Sequence, residues 1–337
     1  MSKTLVVYPN LDAARCTALQ EIAERTHGRV VFCDNESEAL RAIPQAEGFY
    51  GKLTPSILSA AQKLQWVQSP TASLEHYLFP ELIQHPCILT NMRGLFSDVV
   101  ADHVLAMILC FARRLHIYIR QQTQHRWAPL GEPQFRTDFV HSPGRVTPVD
   151  LAHQHLSDLV LGVFGVGHIG GEVCRRGLSL GMQVCGIDIH PAKKVAEGCE
   201  IWPLSKLGEL LSLADYLVIA APHTPQTEGL FNRDLLQLMK PSAVLINVGR
   251  GAIVRLNDLT EALRTKVIGG AALDVCDPEP LPADHPLWDF PNVIITPHVA
   301  AASPRIAERH FKMLSENVRR FFNNQPLLNV VDKSQWC

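Results

Sequence analysis

Three ionisable side chains in the second half of the sequence stand where strands are predicted to end. Arg250, Glu279 and His298 each follow a separate apolar, strand-like segment. In open α/β sheets the ligand crevice lies outside the carboxyl ends of the strands, so residues in these places are candidates for a site. A guanidinium, a carboxylate and an imidazole in such a crevice are suited to chemistry at a substrate carbonyl.

Reduction of a 2-oxo acid by hydride would use all three side chains. A guanidinium matches a carboxylate in shape and stays charged, so Arg250 is predicted to bind the substrate. An imidazole titrates near neutral pH, so His298 is predicted to protonate the developing alkoxide. A carboxylate beside that ring favours its charged form and fixes its orientation, which is the role predicted for Glu279. Taken singly, each residue also has a structural interpretation, as a turn residue, a solvated loop acid or a strand cap.

A glycine-rich segment indicates a dinucleotide site. A strand-like run over 159–164 leads directly into residues 165–170, and a helix is predicted to follow. The candidate cofactor residues of this segment are Gly165, Gly167, His168, Ile169 and Gly170. The first glycine would permit the tight turn, the second the approach of a pyrophosphate, and the third close packing of helix on strand. The helix N-terminus would present free N–H groups to the phosphates. The motif alone is weak evidence, and its place between a strand and a helix strengthens it.

Asp188 indicates which dinucleotide is bound. It ends the next strand-like run, 183–187. A carboxylate there can bind the ribose hydroxyls and would repel a 2′-phosphate, so NAD is predicted over NADP. Lys193 and Lys194 could instead bind a 2′-phosphate, but a solvated helix start also explains them.

The elements that must position these residues alternate between strand and helix. The predicted strands are 5–8, 30–33, 48–50, 66–68 and 88–90, then 159–164, 183–187, 216–220, 243–247, 268–273 and 293–296. Strands separated by helices predict parallel sheets with crossovers. One helix is expected from about Ser97 to Arg126, followed by an extended loop over 128–144. The last helix is expected to begin at Ser303-Pro304, with serine as its N-cap.

Composition excludes several classes of protein. Of the 337 residues, 47% are hydrophobic and 19% charged, and the net charge is -2, as in a globular protein. No basic cluster indicates a nucleic-acid partner, and no apolar run has the length of a membrane span. Nine dispersed cysteines without a CxxC pair predict reduced thiols in the cytoplasm. No third ligand accompanies His153 and His155, so no metal site is predicted.

In the glycine-rich segment and around Arg250, Glu279 and His298, the sequence resembles the NAD-dependent, D-isomer-specific 2-hydroxyacid dehydrogenase family. The resemblance extends over nearly the whole chain and is strongest in 161–170, 220–254, 272–280 and 292–300. It implies that Arg250 orients the substrate, that His298 is the acid and base, and that Glu279 pairs with it. It places Asp274 near the nicotinamide amide. The remaining residues that it implies are Pro222, Thr227 and Val248 along the cofactor cleft, and Pro70, Thr71 and Ala72 in a loop whose backbone N–H groups hold the substrate carboxylate.

The resemblance also implies an architecture and partners. A Rossmann NAD-binding domain, residues 97–301, would be inserted in a flavodoxin-like substrate-binding domain made of 1–96 and 302–337. The substrate would be a small 2-oxo or D-2-hydroxy acid, as for glyoxylate and hydroxypyruvate reductases or phosphoglycerate dehydrogenases without a regulatory domain. The family forms homodimers, so the helix from Ser97 is expected to pack across a two-fold axis.

The sequence departs from the family pattern at three places, and two other functions stay open. Pro70 and Ser73 replace glycines of the substrate loop, Arg93 stands where a small residue is common, and the stretch from 128 to 158 is long. The first alternative is a non-catalytic, NAD-sensing corepressor of the same fold. The second is a phosphite dehydrogenase. A formate dehydrogenase is disfavoured, because the Glu279–His298 pair differs from its pattern.

Overall fold

The computed structural model describes residues 2–74, 77–131, 144–192 and 194–333. The chain divides into two compact units. The first takes the chain up to Phe96 and again from Ser303, and the second takes Ser97–Ala302. Within the ranges just given, no helix is long and apolar enough to cross a membrane.

Twelve strands and twelve α-helices make up the regular structure of the described residues. The strands are β1 (Thr4–Val7), β2 (Arg29–Phe32), β3 (Gly48–Tyr50), β4 (Trp66–Gln68), β5 (Ile88–Thr90), β6 (Val160–Phe164), β7 (Gln183–Ile187), β8 (Cys199–Trp202), β9 (Tyr216–Ile219), β10 (Val244–Asn247), β11 (Gly270–Leu273) and β12 (Val293–Ile295). The helices are α1 (Ala13–Arg25), α2 (Glu36–Ala42), α3 (Pro55–Ala60), α4 (Pro80–Gln84), α5 (Ser97–Ala112), α6 (Leu115–Thr123), α7 (Pro148–Leu151), α8 (His168–Ser179), α9 (Leu207–Leu213), α10 (Arg233–Leu236), α11 (Leu256–Arg264) and α12 (Ile306–Phe322).

The first unit is built on a five-stranded parallel sheet in the order β2-β1-β3-β4-β5. Successive residues of β1 enter different cores. Val6 packs with Phe49 and Ile57, whereas Leu5 packs with Val318. Apolar side chains on both faces are expected of a parallel sheet that helices cover on both sides. The helix α12 supplies part of the second core, so the end of the chain completes the first unit.

The second unit is built on a seven-stranded parallel sheet in the order β12-β11-β10-β9-β6-β7-β8. The chain moves outward from β6 to β8 and then returns to the other side of β6 at β9. The neighbouring strands β6 and β9 therefore form the point at which the order reverses, where α/β sheets bind ligands. The two sheets confirm the predicted fold class, with flavodoxin-like strand order in the first unit and Rossmann order in the second.

Two predicted helices have different bounds in the structure. The helix expected over 97–126 is wrong as a single element, because α5 and α6 are separated at Arg113 and Arg114. Arg114 has a left-handed φ of 58°, and its Nε donates to Ala152 O at 2.9 Å. The last helix begins at Ile306 instead of Ser303, because the Ser303 hydroxyl accepts from Arg305 N in a turn that precedes the helix.

One strand was not predicted, and one predicted loop cannot be compared. The edge strand β8 pairs with β7 in parallel, from Val184 opposite Cys199 to Ile187 opposite Trp202. Of the loop predicted over 128–144, residues 132–143 lie outside the described residues.

Candidate active site

The glycine loop follows β6 and leads into α8. Gly165 has a φ of +88°, and a Cβ on it would lie 2.5 Å from Ala221 Cα. A Cβ on Gly170 would lie 2.1 Å from Gly165 O. A Cβ on Gly167, the N-cap of α8, would meet nothing within 4 Å. The fold itself therefore requires the first and third glycines, whereas the second leaves space at a helix N-terminus where a phosphate could approach.

Asp188 lies at the end of β7 and binds the glycine loop. Its Oδ2 accepts from Val166 N at 3.0 Å, and its Oδ1 accepts from His190 N at 2.9 Å. The structure thus brings together the predicted glycine loop and the predicted ribose acid. His168 and Ile169 form the first turn of α8, Lys194 is exposed, and Lys193 lies outside the described residues. The close-packed glycines, the helix N-terminus and the half-buried acid fit an adenine dinucleotide.

The loop after β9 carries two more predicted cofactor residues, Pro222 and Thr227. The Thr227 hydroxyl donates to Pro222 O at 2.9 Å and accepts from Thr224 N at 2.8 Å. These hydrogen bonds of the Thr227 hydroxyl hold the loop in its conformation. The predicted residue Val248 is buried at the end of the neighbouring strand β10, and its N–H donates to Ile219 O at 3.1 Å.

Arg250 lies in a turn that Asn247 holds in place. The buried Asn247 side chain donates from Nδ2 to Arg250 O at 2.9 Å and accepts from Gly249 N at 3.1 Å. A Cβ on Gly251 would lie 1.9 Å from Cys276 O, so this turn packs directly against the segment that leads to Glu279. The Arg250 guanidinium is half-buried and donates to Gly249 O at 2.7 Å.

His298 and Glu279 form a direct pair. His298 Nδ1 lies 2.5 Å from Glu279 Oε1, and the two side chains are 48% and 41% exposed. A carboxylate accepts, so we assign the Nδ1 proton to this bond. Nε2 is then the nitrogen that is available to exchange a proton with a bound molecule. The backbone of His298 has a left-handed φ of 54°.

Asp274, the last predicted cofactor residue, binds the loop that carries His298. Its carboxylate is buried and accepts from Thr296 Oγ1 at 2.6 Å, from Val299 N at 2.9 Å and from Ala300 N at 3.0 Å. Its backbone oxygen accepts from His298 N at 2.8 Å. The contact with the nicotinamide amide stays a prediction, and the bonds to residues 296–300 are a second role that the sequence did not indicate.

Sequence reasoning missed two polar residues of this site, Asn247 and Thr296. Both stand at the end of an apolar strand, immediately before a candidate residue or its loop, and that position was the available signal. The buried Cys276 is not a nucleophile here. Burial, and then the carboxylates of Glu279 and Asp274, raise the pKa of its thiol to about 11, so it stays protonated at neutral pH.

The predicted substrate loop belongs to the first unit and follows β4. Asn91 Nδ2 donates to Ala72 O at 2.8 Å, and His310 Nε2 donates to Pro70 O at 2.9 Å. These bonds occupy carbonyl oxygens of the loop. Pro70 has no backbone N–H, so it cannot act in the way that was predicted for the loop. The Thr71 N–H donates to Ser69 Oγ at 3.3 Å within the loop, and the Ala72 N–H is the remaining predicted donor for a carboxylate.

The described part of the chain contains no group of three His, Cys, Asp or Glu side chains that could hold a metal ion. His153 has structural partners, since its Nδ1 donates to Val149 O at 2.7 Å and its Nε2 lies 2.9 Å from Tyr118 Oη. His155 bonds with Ser157.

Comparisons with known proteins found relatives of this chain in sequence and in structure. Residues 105–300 match the family model described as D-isomer specific 2-hydroxyacid dehydrogenase, NAD binding domain. Glyoxylate/hydroxypyruvate reductase B of Pectobacterium atrosepticum is 33% identical over 272 residues, 78% of each chain. A family protein of Aeromonas salmonicida superposes with a TM-score of 0.75 at 32% identity, over 99% of this chain and 100% of that one. The NADPH-dependent glyoxylate/hydroxypyruvate reductase of Sinorhizobium meliloti, solved with NADP and sulfate, gives a TM-score of 0.77 at 26% identity over the full length of both chains.

Proposed function

Because the chain belongs to the D-isomer-specific 2-hydroxyacid dehydrogenase family, we propose that it reduces a small 2-oxo acid to the D-2-hydroxy acid, or catalyses the reverse oxidation. It is an oxidoreductase that uses a nicotinamide dinucleotide. The 2.5 Å contact between His298 Nδ1 and Glu279 Oε1 carries the proposal, because it leaves Nε2 as the atom that exchanges the proton. Glyoxylate and hydroxypyruvate, named for relatives of this chain, are the proposed substrates.

The glycine loop, the first turn of α8 and Asp188 would hold the dinucleotide, with Pro222, Thr227, Val248 and Asp274 nearer the nicotinamide. When bound, the nicotinamide supplies or accepts the hydride. During reduction, the charged His298 ring donates its Nε2 proton to the alkoxide oxygen, and during oxidation the neutral ring accepts it. The Glu279 carboxylate stabilises the charged ring and holds its orientation. Arg250 binds the substrate carboxylate and polarises the carbonyl.

We propose NAD as the preferred dinucleotide. Asp188 accepts through Oδ2 from Val166 N of the glycine loop and through Oδ1 from His190 N, and a ribose hydroxyl would bind at this carboxylate. A 2′-phosphate at that place would meet a negative charge. The Sinorhizobium relative uses NADPH, so the preference depends on the residues of this chain and not on its family.

We also propose a homodimer that forms through the second unit. The apolar stripe of α5 (Val100, Val104, Met107, Ile108 and Phe111) is buried within the chain, so it does not support the proposal. The support comes from exposed apolar side chains on α5, α6 and the loop after them, namely Leu109, Leu115, Ile119 and Trp127, the last 97% exposed. Trp127 also lines an open cavity of about 590 Å³ beside Tyr118 and Pro129. Four exposed apolar side chains within residues 109–127 favour a protein interface on this part of the unit.

The proposed reaction is tested by measuring turnover of NADH with glyoxylate, hydroxypyruvate, pyruvate and 3-phosphohydroxypyruvate. We expect turnover with at least one of them, and its severe loss in His298→Ala with NADH binding nearly intact, because the missing interaction is made in the transition state. Phosphite with NAD is measured in parallel. NADH binding without turnover of any substrate would instead support an NAD-sensing corepressor. Turnover of phosphite alone would support a phosphite dehydrogenase.

A further inference from the structure

The backbone conformation of His298 needs support from outside its own loop. A left-handed φ is unfavourable for a residue with a Cβ, and it persists only where surrounding bonds determine it. Asp274 supplies those bonds, through its backbone oxygen to His298 N and through its carboxylate to Val299 N and Ala300 N. The place of the catalytic imidazole therefore depends on where the Asp274 carboxylate lies.

The Thr296 hydroxyl links this carboxylate to a histidine of another element. Thr296 Oγ1 lies 2.6 Å from Asp274 Oδ1 and 3.0 Å from His103 Nε2. A hydroxyl has one proton, and an ionised carboxylate can only accept, so the proton belongs to the bond with Asp274. The hydroxyl must then accept from His103, which assigns the proton of the neutral imidazole to Nε2.

His103 is well placed to hold this arrangement. It lies on α5, far from residues 274–300 in sequence, and its side chain is 22% exposed. Asp274 Oδ1 is 3.7 Å from its Nε2, so the carboxylate attracts the same N–H. On either side of His103 along the helix, Val100, Val104 and Met107 are buried, which fixes the part of α5 that presents the ring.

We propose that His103 is a positioning residue for His298. Its Nε2–H holds the Thr296 hydroxyl so that this hydroxyl donates to Asp274, and Asp274 then holds the backbone of residues 298–300. The proposal rests on the proposed role of His298 as acid and base. It gives α5 a direct part in the placement of the proton donor, since the bond of His103 with Thr296 is what links the helix to the loop of His298.

The test uses substitutions that differ in where they place a donor. His103→Gln can place an amide nitrogen near the position of Nε2, whereas the shorter His103→Asn cannot reach it, and His103→Leu has no donor. Thr296→Val removes the hydroxyl, and His103→Leu/Thr296→Val removes both partners. Each variant is purified and compared with the wild type for kcat and KM with the fastest 2-oxo acid, for NADH affinity by fluorescence, and for thermal melting.

We expect His103→Leu, His103→Asn and Thr296→Val to lower kcat about 10-fold to 100-fold, since small misplacements of a reacting group have effects of this size. KM and NADH affinity should change less than about twofold, because the loss falls in the transition state. His103→Gln should recover most of kcat, and the double variant should be no slower than Thr296→Val, because one linked set of bonds is removed only once.

Several results would overturn the proposal. They are wild-type kcat in folded His103→Leu or His103→Asn, a His103→Gln variant as slow as His103→Asn, or independent effects that multiply in the double variant. If His103→Leu does not fold, the kcat of His103→Gln compared with that of His103→Asn tests the proposal. His298→Ala separates this proposal from the proposed function. An active His298→Ala refutes the role of His298 itself, whereas an inactive His298→Ala beside a fully active His103→Asn refutes only the role of His103.

Discussion

The two carboxylates near His298 differ in what they bind and therefore in what they do. Glu279 is half-exposed and contacts the imidazole itself, so it acts on the charge and orientation of the ring. Asp274 is buried and contacts backbone N–H groups and a hydroxyl, so it acts on the position of the loop. In the sequence, each is simply an acidic residue that follows a predicted strand. Only the contacts distinguish the acid that adjusts the ring from the one that holds its backbone.

Replacement of Asp188 tests the proposed dinucleotide preference. We expect Asp188→Ala to narrow the gap between NAD(H) and NADP(H), because it removes both the ribose bonds and the repulsion of a 2′-phosphate. The measurement is kcat/KM with each cofactor for wild type and variant. Equal wild-type efficiency with the two cofactors would contradict the ribose role of Asp188.

Replacement of Arg250 tests how the substrate is bound. Arg250→Ala should raise KM and lower kcat together, because one guanidinium holds the carboxylate and polarises the carbonyl. NADH affinity should stay close to that of the wild type. Arg264→Ala is the matched control, since Arg264 is 68% exposed and pairs only locally with Glu261. Equal kinetics of the two variants would show that Arg250 does not bind the substrate.

At the scale of elements, the sheet was predictable from the sequence and several boundaries were not. Buried parallel strands are mostly apolar, which is why β6, β7 and β10 were recognised. The edge strand β8 escaped because the polar Glu200 interrupts its apolar residues. The break between α5 and α6 has neither glycine nor proline to indicate it. Its cause is tertiary, since Arg113 and Arg114 donate to Gln154 O and Ala152 O.

The glycine loop offers a matched pair of substitutions that separate folding from binding. Gly170→Ala places a Cβ 2.1 Å from Gly165 O, so we expect it to destabilise the protein by about 1 to 3 kcal/mol, the usual cost of overpacking. Gly167→Ala meets no protein atom within 4 Å, so melting should not change while NADH affinity falls. Thermal melting and NADH titration of both variants test this. Unchanged NADH affinity in Gly167→Ala would contradict pyrophosphate binding beside that residue.

The candidate site, like the helix and strand boundaries, could be predicted from the sequence only in part. The proposed catalytic trio, Arg250, Glu279 and His298, could be named from the sequence because each residue type has a distinct chemistry and follows a strand. The roles of His103, Asn247 and Thr296 could not be predicted from the sequence. A polar residue beside an apolar run indicates a role only when its hydrogen-bond partner is known. His103 and Thr296 lie 193 residues apart in sequence, whereas Asn247 bonds with the nearby Gly249 and Arg250. Contacts made across the fold are the part of the site that composition and spacing do not contain.

At the scale of the whole molecule, the proposed homodimer depends on the exposed apolar side chains of the second unit. Leu115→Glu should shift the protein from dimer to monomer, because it places a charge in an apolar interface. Leu204→Glu is the control, since Leu204 is 49% exposed, close to the 46% of Leu115, and lies on another part of the unit. Light scattering at micromolar concentration measures both. A monomeric wild type would contradict the proposal.

The pH profile of reduction in wild type and Glu279→Gln tests the central claim most directly. The Gln side chain can still accept from His298 Nδ1, so the substitution removes the charge and keeps a hydrogen bond. Reduction requires the imidazolium, and the Glu279 charge next to Nδ1 stabilises it, so removal of this charge should move the alkaline limb of the activity profile towards acid. Glu209→Gln, at a glutamate that is 50% exposed on α9, should leave the profile unchanged. Superimposable profiles for wild type and Glu279→Gln would show that Glu279 does not act on His298 and would contradict the proposed acid–base pair.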